Sequence, residues 1–116
     1  MKLKTTEKDN VTILRLQDAR LDSPIAAELK AHLLVMIDQG AKNLLIDLKE
    51  VEYADSSGLG AILFGVRQVR PVKGQIKLVN VQPRVLSLIK IAKLDNVIEA
   101  YDDEKEALAS FANIND

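Results

Sequence analysis

The amino-acid sequence predicts a single α/β domain, in which helices pack on a mostly four-stranded mixed β-sheet with an added edge strand. Apolar runs typical of strands alternate along the chain with apolar-periodic segments typical of helices. Residues 43–48 have few polar interruptions, as expected of a central strand that is covered on both faces. The length of 116 residues is enough for one hydrophobic core and leaves no room for a second. We therefore expect one domain, residues 1–116, with about four helices packed mainly on one face of the sheet.

The first half of the chain predicts an edge hairpin and a helix. Residues 2–7 and 11–16 are typical of short strands joined by a turn. After a polar loop, Ser23 has the character of a helix N-cap and Pro24 suits the first helical position, while Gly40 is predicted to end the helix. The apolar residues of this helix share one face and are predicted to point into the core: Ile25, Leu29, Leu33, Met36 and Ile37.

The second half predicts further strands and helices in alternation. Residues 59–69 have helical periodicity, residues 75–79 are typical of a strand, and residues 97–100 predict a short last strand. Pro83 opens a third helix, whose inward residues are predicted to be Val85, Leu86, Leu88, Ile89 and Ala92. A final helix is predicted from a capping box and two apolar residues: Asp103, Glu106, Leu108 and Phe111.

Charge and composition argue against several kinds of partner. The 16 basic and 17 acidic residues give a net charge of −1, so we expect no surface for nucleic acid. There are no cysteines, which excludes disulfides and cysteine-ligated zinc. No apolar run approaches the length of a membrane span, and the N-terminus lacks the apolar core of a signal peptide. We therefore expect a cytoplasmic protein without membrane insertion.

The sequence offers little material for catalysis. With no cysteine and with His32 as the only histidine, a Ser/His/Asp or Cys/His nucleophilic site has almost no components. The glycine pattern at residues 58–60 lacks the third glycine of a dinucleotide fingerprint, and there is no Gly-Lys-Ser/Thr phosphate loop. The carboxylate pairs Asp22/Asp55 and Asp102/Asp103 could bind a cation, but paired surface acids are usually only solvated. We predict no enzymatic activity, no metal site and no cofactor.

One stretch, DSSGLG at residues 55–60, has the composition of a functional site. Asp and Ser side chains accept hydrogen bonds from the free N–H groups of a helix's first turn, where the helix dipole also favours negative charge. One such residue suffices as a cap, and three are present. The two glycines weaken a helix by roughly 0.8–1 kcal/mol each relative to alanine, although they allow another surface to approach closely. An Asp-Ser-Ser helix start is most often only a cap, but the surplus side chains and the two glycines weaken that interpretation and suggest a site for modification or docking.

The helix that follows has two predicted faces. The expected core face consists of Leu59, Ile62, Leu63 and Val66. The opposite side carries Gly60, Ala61, Phe64 and Gln68. Phe64 either completes a small apolar docking patch with Gly60 and Ala61 or packs under a neighbouring helix, and the sequence leaves both open.

The stretch DSSGLG, followed by AIL at residues 61–63, resembles the signature of STAS domains, and the chain is similar in layout to the small single-domain anti-sigma factor antagonists. The resemblance implies that Ser56 is phosphorylated by a partner serine kinase that is also the anti-sigma factor. Unphosphorylated, such a protein sequesters the kinase and frees a sigma factor; phosphorylated, it lets go. Asp55 is then expected to orient the hydroxyl or the loop, and Ser57 to be the helix cap or a secondary acceptor. The expected partner-binding residues are Asp22, Ser23, Asp55, Ser57, Gly58, Gly60, Ala61 and Phe64.

Other partners and functions remain open at this point. A phosphatase is a further partner that the scheme allows. Ala19 stands where the family often has a glycine in the loop beside the site, which bears on the partner's identity. The chain could instead be a regulatory or structural STAS subunit of a larger assembly, such as a transporter ATPase complex or a stress-sensing particle. It could also bind a small ligand or nucleotide, which ligand-induced thermal stabilisation would detect.

Overall fold

The structure is a computed structural model that describes residues 1–112 of the chain. Within these residues the strands are β1 (Leu3–Lys8), β2 (Val11–Leu16), β3 (Arg20–Leu21), β4 (Asn43–Asp47), β5 (Tyr53–Ala54), β6 (Gln75–Val79) and β7 (Ala100–Tyr101). The helices are α1 (Ser23–Asp38), α2 (Ser56–Val69), α3 (Pro83–Ile91) and α4 (Glu104–Ala112). Short 3-10 turns, Arg70–Val72 and Leu94–Asn96, follow α2 and α3.

The main sheet is mixed, as the sequence predicts. Its strand order is β1-β2-β4-β6-β7; β1 is antiparallel to β2, and the other neighbours are parallel. The apolar strand β4 lies in the middle, and its residues Leu44, Leu45 and Ile46 are fully buried. Side chains alternate along a strand, so a central strand buries every residue only when both faces of the sheet are covered.

Three helices cover one face of the sheet and the fourth covers the other. α1, α2 and α3 pack around one core cluster, which includes Leu29, Ile62 and Val85. α4 closes a smaller cluster on the opposite face, formed by Val11, Ile13, Leu45, Val79, Ala107, Leu108 and Phe111. The prediction of helices mainly on one face is therefore confirmed.

The two ends of α1 differ in how well the sequence predicts them. The N-cap is Asp22 and not Ser23, because the Asp22 carbonyl accepts the first intrahelical bond from Ala26 at 2.7 Å and Ser23 is already helical. At the other end, Gly40 has φ +105° and its N–H donates to the Ile37 carbonyl. Gly40 therefore ends the helix as predicted, because glycine adopts positive φ without steric cost.

The segment after α3 is shorter and more exposed than the sequence predicts. α3 ends at Ile91, and Ala92 is exposed, so Ala92 is not a core residue. The last strand is β7, which shares only Ala100 with the predicted residues 97–100. Val97 instead follows the 3-10 turn as its cap, and its N–H donates to the Leu94 carbonyl. The Asp103 half of the predicted capping box is present, since Oδ2 of Asp103 accepts from the Glu106 N–H at 3.1 Å.

The carboxyl end of β4 is held by a buried polar cluster. Asp47 is buried, and its Oδ2 accepts a hydrogen bond from Arg15 at 2.8 Å. Its Oδ1 accepts from the Lys49 N–H at 3.0 Å and from the Asn80 side chain at 3.3 Å. Arg15 also pairs with Glu104 at the start of α4. This cluster fixes the turn that leads from β4 toward β5 and ties α4 to the same edge of the sheet.

A two-stranded parallel ribbon stands apart from the main sheet and positions the start of α2. Arg20 pairs with Tyr53 and Leu21 pairs with Ala54. The ribbon joins the loop before α1 to the loop before α2, so the N-termini of these helices lie together. The sequence did not predict it, because strands of two residues are too short to show a hydrophobic period.

Candidate functional site

The first turn of α2 lies directly against the backbone of β3. The Asp55 N–H donates to the Leu21 carbonyl at 3.3 Å, which continues the pairing of the ribbon by one step. Gly58 is buried against the same carbonyl. As a result, Ser56 at the start of α2 and Asp22 at the start of α1 belong to one surface.

Asp55 is the N-cap of α2. Its backbone is extended, and its Oδ1 accepts hydrogen bonds from the Gly58 N–H at 3.0 Å and from the Ser57 hydroxyl at 2.6 Å. The Ser57 hydroxyl, and next the Gly58 N–H, hold the pKa of Asp55 below its ordinary value because both stabilise the charged carboxylate. The expectation that Ser57 caps the helix is wrong: a cap must precede the first turn, and Ser57 is already within it.

The two neighbouring serines have different environments. Ser57 is half-buried and its hydroxyl is engaged by Asp55. Ser56 is exposed as the first residue of α2, and its side chain makes no hydrogen bond to residues 1–112. Asp55 therefore orients Ser57 and the loop, not the Ser56 hydroxyl. Of the two hydroxyls, Ser56 is the one that another molecule can approach directly.

The two glycines of the motif serve different purposes. A Cβ atom at Gly58 would lie 2.2 Å from the Leu21 carbonyl oxygen and 2.8 Å from Leu21 Cγ, distances that packed atoms do not reach. Gly58 is therefore required for α2 to approach β3, and its expected role as a partner contact is wrong. A Cβ atom at Gly60 would have nothing within 4 Å. Gly60 remains a candidate for partner contact.

The apolar docking patch proposed for α2 is only partly exposed. Ala61 is fully buried, so its assignment to the partner surface is wrong. Phe64 is half-buried, and the Lys30 ammonium of α1 lies 5.9 Å from its ring centroid. Leu63, predicted for the core, is also only half-buried. The reason is that α2 packs against both the sheet and α1. Its buried face is therefore wider than predicted and includes Ala61 in place of Leu63.

At the start of α1, the structure places Arg20 and Tyr53 beside Asp22 and Ser23, the two residues there that the sequence singled out. Asp22 is half-buried, and its side chain makes no capping bond; its Oδ2 instead accepts from Arg20 Nε at 3.3 Å. The Arg20 guanidinium lies 4.2 Å from the ring centroid of Tyr53. Ser23 is exposed beside them. The Arg20–Tyr53 pair had no sequence signal, because the two residues are far apart in the chain and meet only through the ribbon.

The remaining candidates do not assemble into a site. His32 is exposed on α1. Within residues 1–112 no group of three or more His, Cys, Asp or Glu side chains could hold a metal ion. Over the same residues, no helix is both long and apolar enough to span a bilayer.

Comparison with known proteins gives consistent matches along the chain. A family model of the STAS domain matches residues 2–107. The chain is 29% identical over 111 residues to a Bordetella bronchiseptica protein provisionally named anti-sigma factor antagonist BtrV, covering 96% of this chain and 95% of that protein. It is 35% identical over 79 residues to the anti-sigma-B factor antagonist of Bacillus subtilis, covering 68% of this chain and 72% of that protein.

Solved structures show the same fold. The unphosphorylated form of the anti-sigma factor antagonist SpoIIAA matches with a TM-score of 0.73 at 23% identity, covering 97% of this chain and 100% of that one. The phosphorylated form of SpoIIAA, from Bacillus, matches with a TM-score of 0.73 at 22% identity, covering 95% and 99%. At these identities the similarity concerns the fold alone.

Proposed function

This chain belongs to the STAS domain family, as the resemblance in its sequence predicts, and we propose that it is an anti-sigma factor antagonist switched by phosphorylation of Ser56. Unphosphorylated, it sequesters a kinase-type anti-sigma factor and thereby frees a sigma factor. Phosphorylated on Ser56, it releases the anti-sigma factor. The relatives named as antagonists support this class of partner. The switch operates in the cytoplasm, and this chain catalyses no reaction itself.

The contrast between two adjacent hydroxyls carries the proposal. A kinase must bring the acceptor oxygen into line with the γ-phosphorus of ATP. The Ser57 hydroxyl is bonded to Asp55 at 2.6 Å and is half-buried. Ser56 is exposed at the N-terminus of α2, so its hydroxyl is the more accessible of the two to a kinase.

The phosphoryl transfer requires only the Ser56 hydroxyl from this chain. Oγ of Ser56 forms a bond to the γ-phosphorus of ATP, the bond from that phosphorus to the oxygen of ADP breaks, and the hydroxyl proton passes to a base of the kinase. We assign the base to the kinase because Asp55 Oδ1 is engaged by Ser57 and Gly58 and the structure shows no hydrogen bond from Ser56 to Asp55 within residues 1–112. ATP and Mg²⁺ belong to the kinase, since this sequence has no phosphate-binding loop motif.

The phosphate weakens the complex while the domain keeps its fold. It adds about −1.5 to −2 charges at pH 7. The N–H groups and dipole of α2 offset this charge by roughly 0.3–1 kcal/mol in the free domain. In the complex the same group is desolvated and lies beside Asp55, a like charge. The similarity of this fold to both forms of SpoIIAA, each with a TM-score of 0.73, supports a switch that leaves the fold intact.

Matched serine variants test the proposal. Pull-down with the unphosphorylated protein from extracts of its own cells supplies the kinase partner, and mass spectrometry after incubation with ATP maps the modified residue. We expect Ser56→Ala to abolish phosphorylation and keep binding, and Ser57→Ala to remain phosphorylated on Ser56. Phosphorylated protein should bind over a hundredfold more weakly, which corresponds to about 3 kcal/mol.

Two results would contradict the proposal in different ways. Undiminished phosphorylation of Ser56→Ala would overturn the choice of acceptor. Equal affinity of the phosphorylated and unphosphorylated proteins for the partner would overturn the switch.

A further inference from the structure

The outer face of the β3–β5 ribbon carries an arginine, Arg20, that contacts two neighbouring side chains. Alternate residues of a strand point to the same side, so Arg20 and Asp22 face outward while Leu21 is buried between them. The Arg20 side chain is 62% exposed and its guanidinium lies over the Tyr53 ring at 4.2 Å. Its Nε donates to Asp22 at 3.3 Å, and its terminal amino groups make no hydrogen bond to residues 1–112. The guanidinium is therefore held in place on one side and available on the other.

Arg20 pairs with Tyr53 in the ribbon, and its side chain extends along the ribbon toward the start of α2. Leu21 pairs with Ala54, and the Leu21 carbonyl accepts from the Asp55 N–H, so Asp22 lies level with Asp55. Ser56 is the next residue. The Arg20 guanidinium already contacts Asp22, so it reaches the level of the residue immediately before Ser56.

The charges around Ser56 make Arg20 the natural partner of a phosphate there. Among residues 20–23 and 52–58, Arg20 is the only basic residue, whereas Asp22, Glu52 and Asp55 are acidic. Arg84 at the start of α3 lines a surface pocket with Glu52, Gln82 and Pro83. A phosphate carries about −1.5 to −2 charges against −1 for a carboxylate, and arginine binds phosphate through two parallel N–H···O bonds. The recorded bond to Asp22 is single and long.

We propose that Arg20 is a positioning residue for phosphoserine at position 56. When Ser56 is phosphorylated, the guanidinium stays on Tyr53, leaves Asp22 and pairs with the phosphate oxygens. The exchange neutralises part of the new charge and leaves the Asp22 carboxylate unpaired at the start of α1. Phosphorylation thus changes two neighbouring features of the docking surface without moving the backbone. This inference rests on the proposed modification of Ser56.

The experiment uses protein into which phosphoserine is incorporated at position 56 during synthesis. Its outcome does not depend on any kinase, so it can fail or succeed separately from the proposed function. In ¹⁵N-labelled protein, the Nε–H resonance of Arg20 should move when residue 56 is phosphoserine instead of serine. A ³¹P NMR titration should give a lower second pKa for the phosphate in the otherwise unaltered chain than in Arg20→Ala, because a nearby cation favours the dianion. We expect a difference of about 0.2 to 0.7 pH units, the range for exposed charge pairs.

Arg84→Ala is the matched control, because it removes the cation that lies beside Glu52 and leaves Arg20 in place. It should leave the phosphate titration unchanged. Equal second pKa values with and without the Arg20 guanidinium would overturn the proposal, as would a larger change in Arg84→Ala than in Arg20→Ala. The proposal would also be overturned if the Arg20 Nε–H resonance were the same with serine and with phosphoserine at position 56. This comparison keeps Arg20, so it does not depend on the stability of an arginine variant.

Discussion

Replacing each of the two motif glycines by alanine should have opposite effects on stability, although they are two residues apart in the same helical turn. Gly58→Ala places a methyl group 2.2 Å from the Leu21 carbonyl oxygen. That oxygen also accepts the Asp55 N–H, so it cannot move away without breaking the bond that joins the ribbon to α2. Gly60→Ala places the same methyl group in open space.

The magnitudes follow from two opposing terms. Alanine in a helix is more stable than glycine by about 0.5–1 kcal/mol. At Gly60 only this term applies, so the free energy of unfolding should rise by up to about 1 kcal/mol. At Gly58 the overlap adds a packing cost of about 1–3 kcal/mol, and because the neighbour is backbone we expect the upper half of that range. At about 2.1 cal/mol/K per residue, the unfolding entropy of 116 residues makes 1 kcal/mol worth about 4 °C in Tm.

Urea unfolding and thermal melts of the wild type and both variants measure these differences. The expected order of stability is Gly60→Ala, wild type, Gly58→Ala. Titration against the partner supplies the second readout: Gly60→Ala should bind more weakly per folded molecule if Gly60 is a close contact. A Gly58→Ala variant as stable as the wild type would refute the close approach of α2 to β3. Unaltered binding by Gly60→Ala would refute its role in docking.

Two further predictions concern the acidic residues. The Ser57 hydroxyl and the Gly58 N–H lower the pKa of Asp55, so its charged form contributes stability above the unfolded pKa of about 3.9, and this is lost as the pH falls through the lower folded pKa. The unfolding free energies of wild type and Asp55→Asn should therefore differ at neutral pH and converge in acid; a pH-independent difference would contradict this. Asp47→Ala removes the acceptor of three hydrogen bonds from a buried position and should cost about 2–3 kcal/mol. Glu104→Ala removes the other ion pair of Arg15, which is more exposed, and should lower the free energy of unfolding by about 1 kcal/mol or less. If denaturant unfolding showed the same loss for Asp47→Ala and Glu104→Ala, the role assigned to the buried cluster would be wrong.

The sequence by itself determined the architecture of this protein and the place of its site. Apolar residues that recur every two or every 3.6 positions identify strands and helices and the face of each that is buried. These patterns predicted the mixed sheet, the antiparallel edge strand and the main helices. The motif at residues 55–60 has a local meaning, a helix start with an acid, two hydroxyls and two glycines. Such a helix start can be predicted from sequence because it depends only on neighbouring residues in the first turn of one helix.

The tertiary structure decided what each residue of that motif does. Gly58 and Ala61 were expected at the partner surface, and both are buried, because α2 also contacts β3 and α1. Ser57 was expected to cap the helix, and Asp55 does so, because the start of α2 is set where Asp55 joins the ribbon to Leu21. The ribbon itself and the Arg20–Tyr53 pair on it had no sequence signal. Such contacts depend on which segments distant in sequence meet in space, and a two-residue strand exists only through its pairing with the partner strand.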